Sequence, residues 1–117
     1  MYYPFMTITQ HTLSLSALAR FGHALSDETR VWILMLLAES PRYPADMAEE
    51  LLISRQSISN HLACLRGCGL VIIESEGRRS QYKLADERVK HALRDLQNVV
   101  LHTDPELCDE SDKKECC

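Results

Sequence analysis

Two cysteines, Cys64 and Cys68, stand four residues apart in the stretch Ser59-Asn60-His61-Leu62-Ala63-Cys64-Leu65-Arg66-Gly67-Cys68. On a helix, residues at that spacing share a face, so both thiols can reach one ion. The same spacing also suits two small apolar side chains of a core, the common fate of a free cysteine. Two thiolates leave a soft metal short of ligands. A third candidate donor is Cys108 on the acidic C-terminal segment, with Cys116 and Cys117 able to supplement or compete. His61 lies on the stripe of the two cysteines and is a further group to place.

A second set of residues overlaps the first. Arg55, Gln56, Ser57, Ser59, Asn60 and His61 crowd the start of the same stretch, and no acidic residue occurs from Ser54 to Gly69. On a helix in the major groove, Arg, Gln and Asn make paired hydrogen bonds to base edges, while Ser and His reach phosphates. A solvated helix face would carry the same types, but the lack of any carboxylate favours a polyanion. Downstream, Gly77-Arg78-Arg79-Ser80-Gln81 puts Arg78 and Arg79 at the tip of a hairpin, suited to phosphates or a minor groove.

The surrounding pattern supplies elements to position these groups. Leu15, Leu18, Phe21 and Leu25 repeat at helical spacing over Ser14 to Leu25. Ser26-Asp27-Glu28 reads as a cap opening a helix over Thr29–Glu39, apolar all round from Val31 to Leu37 and therefore central to the core. Ser40-Pro41 stops it. Pro44 fits a first helical position before Ala45–Leu52, and Ser54 caps Arg55–Gly67 with Ile58, Leu62 and Leu65 facing inward. Gly67 and Gly69 end that helix. Leu70–Glu74 and Gln81–Leu84 read as two strands joined by Ser75 to Ser80. Asp86 caps a last helix over Glu87–His102, with Val89, Ala92, Leu93, Leu96 and Val100 on one face.

Four helices, a hairpin and a helix give a mainly α fold with a small β-hairpin. A short helix, a tight connection, a polar-faced helix and a basic hairpin describe a winged helix-turn-helix. The leucine-rich helices on either side are suited to dimerisation. The expected division is 1–103 as the DNA-binding and dimerisation domain and 104–117 as an acidic, cysteine-containing tail, mobile from Pro105 unless a ligand holds it.

Charge agrees with that layout. The 117 residues carry a net charge of -4, but unevenly. Residues 1–53 hold three Lys/Arg against six Asp/Glu, residues 54–94 eight against four, and residues 95–117 two against seven. A basic middle inside an acidic protein is a local footprint for a polyanion. No apolar run approaches the ~20 residues of a membrane-spanning helix, so no membrane role is expected. MYYPFMTITQ lacks the basic region and apolar core of a secretory leader. The expected setting is the cytoplasm, where cysteines are more often reactive or metal-binding than paired in structural disulfides.

The stretch from Ala17 to Cys108 resembles the ArsR/SmtB family of metal-responsive bacterial repressors. Ala17-Leu18-Ala19-Arg20 and Asp27-Glu28-Thr29-Arg30 are similar to the family's early helices, and Ser59 to Val71 is the sharper match. That segment resembles the cadmium- and lead-sensing branch, in which two cysteines lie on the DNA-recognition helix and a third comes from the C-terminal tail. The resemblance implies Cys64 and Cys68 as metal ligands, Cys108 as the third, and a DNA-facing role for His61. Two other metal sites of the family are not matched. Tyr43 to Leu52 holds no Cys-x-Cys, and on the last helix Asp86 matches a first zinc ligand while Arg88 and Val99 stand where histidines are wanted. His91 and His102 read as surface or interface residues.

Three thiolates favour Cd(II) or Pb(II) over hard ions; Zn(II) with a fourth ligand, and As(III), are alternatives. The expected function is therefore a homodimeric repressor that binds double-stranded operator DNA without metal and is released by Cd(II) or Pb(II). A redox sensor using a disulfide is the rival within DNA binding. An enzyme is not expected: the thiols lie inside a helix rather than at its N-terminus, and no nucleophile–base pair or phosphate-binding glycine loop occurs.

Overall fold

The computed structural model describes residues 8–99, with side chains from Ser14 onward. The element order is α1 (Ile8–Ala24), α2 (Glu28–Glu39), α3 (Pro44–Leu51), α4 (Arg55–Gly67), β1 (Val71–Glu76), β2 (Arg79–Leu84) and α5 (Glu87–Asn98). The expected winged helix-turn-helix is present. Cys108, Cys116, Cys117, His102 and the expected boundary at 103/104 lie outside the described residues.

Capping chemistry sets most of the helix starts. Asp27 accepts the Arg30 backbone N–H at 3.0 Å and Ser54 accepts that of Ser57 at 3.1 Å. Asp86 accepts that of Arg88 at 2.8 Å. Each satisfies a donor that the first helical turn leaves unpaired. At the far end of α4, Gly69 takes φ +81°. Its N–H donates to Arg66 O and that of Leu70 to Leu65 O, both at 3.0 Å, a Schellman cap closed by buried Leu65 and Leu70.

Several boundaries differ from the sequence reading, with α2 opening one residue earlier at Glu28 and β1 one residue later at Val71. α1 starts at Ile8 rather than Ser14, since no glycine or proline interrupts residues 8–21. α3 ends at Leu51, and Leu52 turns left-handed with φ 56°. There the Ile53 N–H reaches Ala48 O at 3.0 Å, the glycine-type stop made by a leucine at ~1–2 kcal/mol of backbone strain. The hairpin is longer than expected: pairing runs from Val71↔Leu84 to Glu76↔Arg79, leaving Gly77-Arg78 as a two-residue turn. Gly77 supplies the positive φ that such a turn needs, so the ladder continues through polar residues. α5 closes at Asn98, with β-branched Val99 already extended.

The core joins Ile33, Leu34, Leu36 and Leu37 of α2, Met47 and Ala48 of α3, Ile58, Leu62 and Leu65 of α4, Leu70, Val71 and Leu93. From α1 only the last turn reaches it, through Ala24 with Phe21 beside it; Leu25 of the following turn packs there too. α2 is central as expected, yet Trp32 remains 59% exposed. The wing is fastened to the loop before α3 by reciprocal backbone bonds between Arg42 and Tyr82, 2.9 and 2.8 Å. Among the described residues no helix is long and apolar enough to cross a membrane.

Two outcomes follow for stability. Ile58→Ala, at a position with no exposed surface, will cost ~2–5 kcal/mol, whereas Arg55→Ala will stay within ~0.5 kcal/mol; urea unfolding of the two variants checks the contrast. Asp86 is drawn down to about 2, first by the Arg88 side chain and then by the Arg88 backbone N–H. A folded pKa below the ordinary ~3.9 means this contact stabilises fully above about pH 4 and is lost as pH falls through about 2. Circular dichroism of Asp86→Asn will accordingly show a shallower acid dependence in that window.

Candidate DNA interface and thiol site

The side chains of α4 and of its C-cap residue Cys68 fall on three flanks. Ile58, Leu62 and Leu65 are buried and seat the helix against α2 and α3. Arg55, Gln56, Ser59, Asn60, Ala63 and Arg66 are exposed on the flank turned away from the core. Ser57, His61, Cys64 and Cys68, at steps of four, three and four, run half-buried along one edge of the apolar stripe. The amphipathic period thus separates core, outward polar face and thiol edge on one rigid rod.

The outward face is preordered. Gln56 Nε2 donates to Asn60 Oδ1 at 3.0 Å, holding together two amides whose types read adenine edges. Arg55 projects free of salt bridges among the described residues, in the first turn of the helix. The wing adds Arg78 at its turn and Arg79 opening β2, both exposed. These two arginines differ: Arg79 lies over the Tyr43 ring, its guanidinium carbon 3.6 Å from the ring centroid, while Arg78 makes no ion pair among the described residues.

His61 and Ser57 are set apart from the other candidate DNA contacts. His61 Nδ1 lies 3.9 Å from the Asp27 carboxylate, which caps α2, and only 22% of the His61 side chain is exposed. The backbone N–H of Arg30, followed by the His61 charge, holds the Asp27 carboxyl below its usual value against the opposing effect of burial. His61 therefore contacts the α1–α2 corner in this structure, a position its spacing alone did not reveal.

The thiol edge borders that same corner. Both cysteines are free and half-buried, and the Cys68 N–H donates to Cys64 O at 3.0 Å where the helix ends. Burial pushes the Cys68 thiol up, and the Cys64 sulfur beside it adds to the effect; Arg20 and Arg30 oppose both. Arg30 ties the corner itself, donating to Ala24 O at 3.1 Å, His23 O at 2.9 Å and Ser26 Oγ at 3.1 Å. A raised thiol pKa is the reverse of the activation that nucleophilic or redox-catalytic cysteines need. A disulfide across one helical turn must also draw Cβ atoms from about 5–6 Å to about 3.8 Å, which unwinds the end of α4.

As a metal site the pair is incomplete. The two sulfurs share an edge and suit a soft ion, but among the described residues no group of three His, Cys, Asp or Glu side chains converges. The residues present fit such an ion as two ligands, with further donors to come from outside the described residues or from a second subunit. At the start of α5, Asp86 is already engaged by Arg88, with Nη2–Oδ2 at 2.7 Å and Nε within 3.2 Å of both oxygens. A guanidinium thus occupies the carboxylate there, and Val99 lies exposed at the other end. Tyr43 carries no signal in the sequence, and Arg20, Asp27 and Arg30 are marked there only as a cap and as parts of the early helices; packing brings all four to these sites.

Residues 27–72, from the cap of α2 into β1, match the family described as bacterial regulatory protein, arsR family. The chain is 51% identical over 89 residues to the HTH-type transcriptional regulator CmtR of Mycobacterium tuberculosis, covering 76% of this chain and 75% of that one. It is similar to the NMR structure of the cadmium metal-sensor CmtR from Mycobacterium tuberculosis, with a TM-score of 0.62, 49% identity and coverage of 74% and 90%. It is also similar to a homodimeric winged helix-turn-helix DNA-binding domain from Mycobacterium bovis, with a TM-score of 0.74, 30% identity and coverage of 91% and 94%. A winged helix-turn-helix with a carboxylate-free reading face, and this degree of identity, lead to one conclusion: the chain belongs to the arsR family of bacterial regulatory proteins, DNA-binding regulators rather than enzymes.

Proposed function

We propose that this protein is a metal-sensing transcriptional repressor that binds operator DNA as a homodimer without metal and is released by Cd(II) or Pb(II) held at Cys64, Cys68 and Cys108. The observation that carries the reading is the placement of Cys64 within the recognition helix and of Cys68 at its C-cap, along the edge that meets the α1–α2 corner. A ligand at that edge acts on the element that reads DNA. The similarity to a cadmium sensor supports the choice of soft ions. Bound there, such an ion supplies only Lewis acidity toward thiolates, a link rather than a reaction.

The residues of this chain do the rest. Arg55, Gln56, Ser59 and Asn60 present donors and acceptors to base edges, with Ser57, His61, Arg78 and Arg79 as the further DNA-binding candidates. Leu15 and Leu18 on α1, Trp32 on α2 and Leu96 on α5 leave apolar surface for a second subunit, and a groove of ≈ 500 Å³ opens beside Trp32. Dimerisation sets two recognition helices about 34–36 Å apart, in successive major grooves. Attachment of the acidic segment through Cys108 to the thiol edge ties the six carboxylates of residues 104–117 to the DNA-reading helix. That disfavours the bound state, and tenfold to hundredfold release needs only ~1.4–2.8 kcal/mol of coupling.

Two experiments decide. Operator duplex is first obtained by selecting binders of the wild-type protein from a random-sequence pool. Titration of reduced protein with Cd(II) will then give sulfur-to-metal absorption saturating at one ion per subunit, with fluorescence anisotropy of the duplex lost at the same stoichiometry. Cys64→Ser and Cys68→Ser will bind the duplex like wild type and stay bound on Cd(II) addition; release of Cys64→Ser by cadmium defeats the site assignment. Separately, Arg55→Ala will cost ~1–3 kcal/mol of operator binding and relax preference at one base pair, measured by competition with single-site operator variants.

A further inference from the structure

The two wing arginines have different surroundings. Arg79 is already occupied: its guanidinium carbon is 3.6 Å above the Tyr43 ring centroid, and its Nη2 is 3.9 Å from Asp46 Oδ2. Across the ladder it faces Glu76, whose carboxylate accepts the Tyr43 hydroxyl at 2.7 Å. Tyr43 is the N-cap residue of α3 and Asp46 lies in the first turn of that helix. One aromatic ring therefore joins the base of the wing turn to the start of the helix-turn-helix, and the Arg42–Tyr82 backbone pair makes a second link three ladder steps further along β2.

The electrostatics of this cluster oppose a phosphate. One guanidinium stands against two carboxylates, Asp46 and Glu76, so a DNA phosphate approaching Arg79 meets a negative balance. Arg78 lies one residue nearer the tip, after the positive-φ Gly77, and is exposed without an ion pair among the described residues. A wing that must meet DNA at the same time as α4 gains affinity from being held at a set angle, because ordering then costs less on binding.

We propose that the wing arginines divide the work, Arg78 contacting the DNA backbone while Arg79, stacked on Tyr43, fixes the wing against α3, which makes Tyr43 a positioning residue for DNA binding. The proposal rests on the DNA-binding reading above and refines its assignment of Arg78 and Arg79.

The test measures affinity of the full chain for the selected duplex over a range of salt concentrations, with thermal unfolding of each variant alongside. Arg78→Ala will lower the slope of log K against log salt by about 0.9 per subunit, the loss of one phosphate contact. Arg79→Ala and Tyr43→Ala will weaken binding about two- to fivefold at every salt concentration with the slope unchanged. Tyr43→Phe, which keeps the ring under the guanidinium, will retain most of the affinity. The double variant Tyr43→Ala/Arg79→Ala will bind no worse than the weaker single one. Arg79 is exposed, so its replacement keeps the fold and the slope measurement stands even where Tyr43→Ala melts early. A slope loss in Arg79→Ala equal to that in Arg78→Ala overturns the division, as do additive losses in the double variant. Wild-type protein that selects no duplex at all sinks the DNA-binding reading and this proposal with it; wild-type binding with a slope loss at Arg79 sinks only this one.

Discussion

Everything in this protein depends on one helix being buried along a single stripe. Ile58, Leu62 and Leu65 press α4 onto α2 and α3 and leave no freedom to rotate about its axis, since turning by one residue would expose a leucine or bury an arginine. That constraint sets the direction of the polar face and, equally, the direction of Cys64 and Cys68. The thiol edge and the outward polar face belong to one rigid body. No chain of intermediates is needed between them, because a change in how the stripe is seated moves both.

The neighbours of the thiol edge say where such a change would be felt. His61 meets the carboxylate that caps α2, and Cys68 lies within the field of Arg20 and Arg30. Arg30 in turn gathers the last carbonyls of α1 and the hydroxyl of Ser26. α4 thus meets the α1–α2 corner through the His61–Asp27 approach, beside hydrogen bonds internal to the corner. Beyond the corner, α1 leaves Leu15 and Leu18 uncovered, and Trp32 and Leu96 are uncovered on α2 and α5. Of these, Trp32 borders the corner itself, in a groove it shares with Leu25, Ser26 and Gln97.

Charge needed the structure to be interpreted. The basic stretch from residue 54 to residue 94 looked like a uniform polyanion footprint. In three dimensions three of its eight basic residues are engaged: Lys83 with Glu74, Arg88 with Asp86 and Arg79 with Asp46 and the Tyr43 ring. Arg55, Arg66 and Arg78 remain outward. The footprint is narrower than the count: the outward flank of α4 and the tip of the wing carry three of the cations left free among the described residues, while Lys90 and Arg94 lie on α5.

Much of the fold was legible in the chain because its signals are local. Asp27, Ser54 and Asp86 cap helices through their own first turns, the period of Ile58, Leu62 and Leu65 marks the buried stripe, and Gly69 marks where α4 must stop. The four-residue step between Cys64 and Cys68 likewise needs only a helix to make them neighbours. What local signals do not carry is which side chains from distant segments meet. The approach of His61 to Asp27 and the seat of Arg79 on Tyr43 follow from packing between residues 30 or so apart, whereas the left-handed Leu52 and the two-residue turn that lengthened the wing are local backbone features. Sequence alone determined the elements, their polar and apolar faces and the pair of thiols; tertiary structure decided which charges are free and which are spent on one another, because that depends on distances that no spacing along the chain specifies.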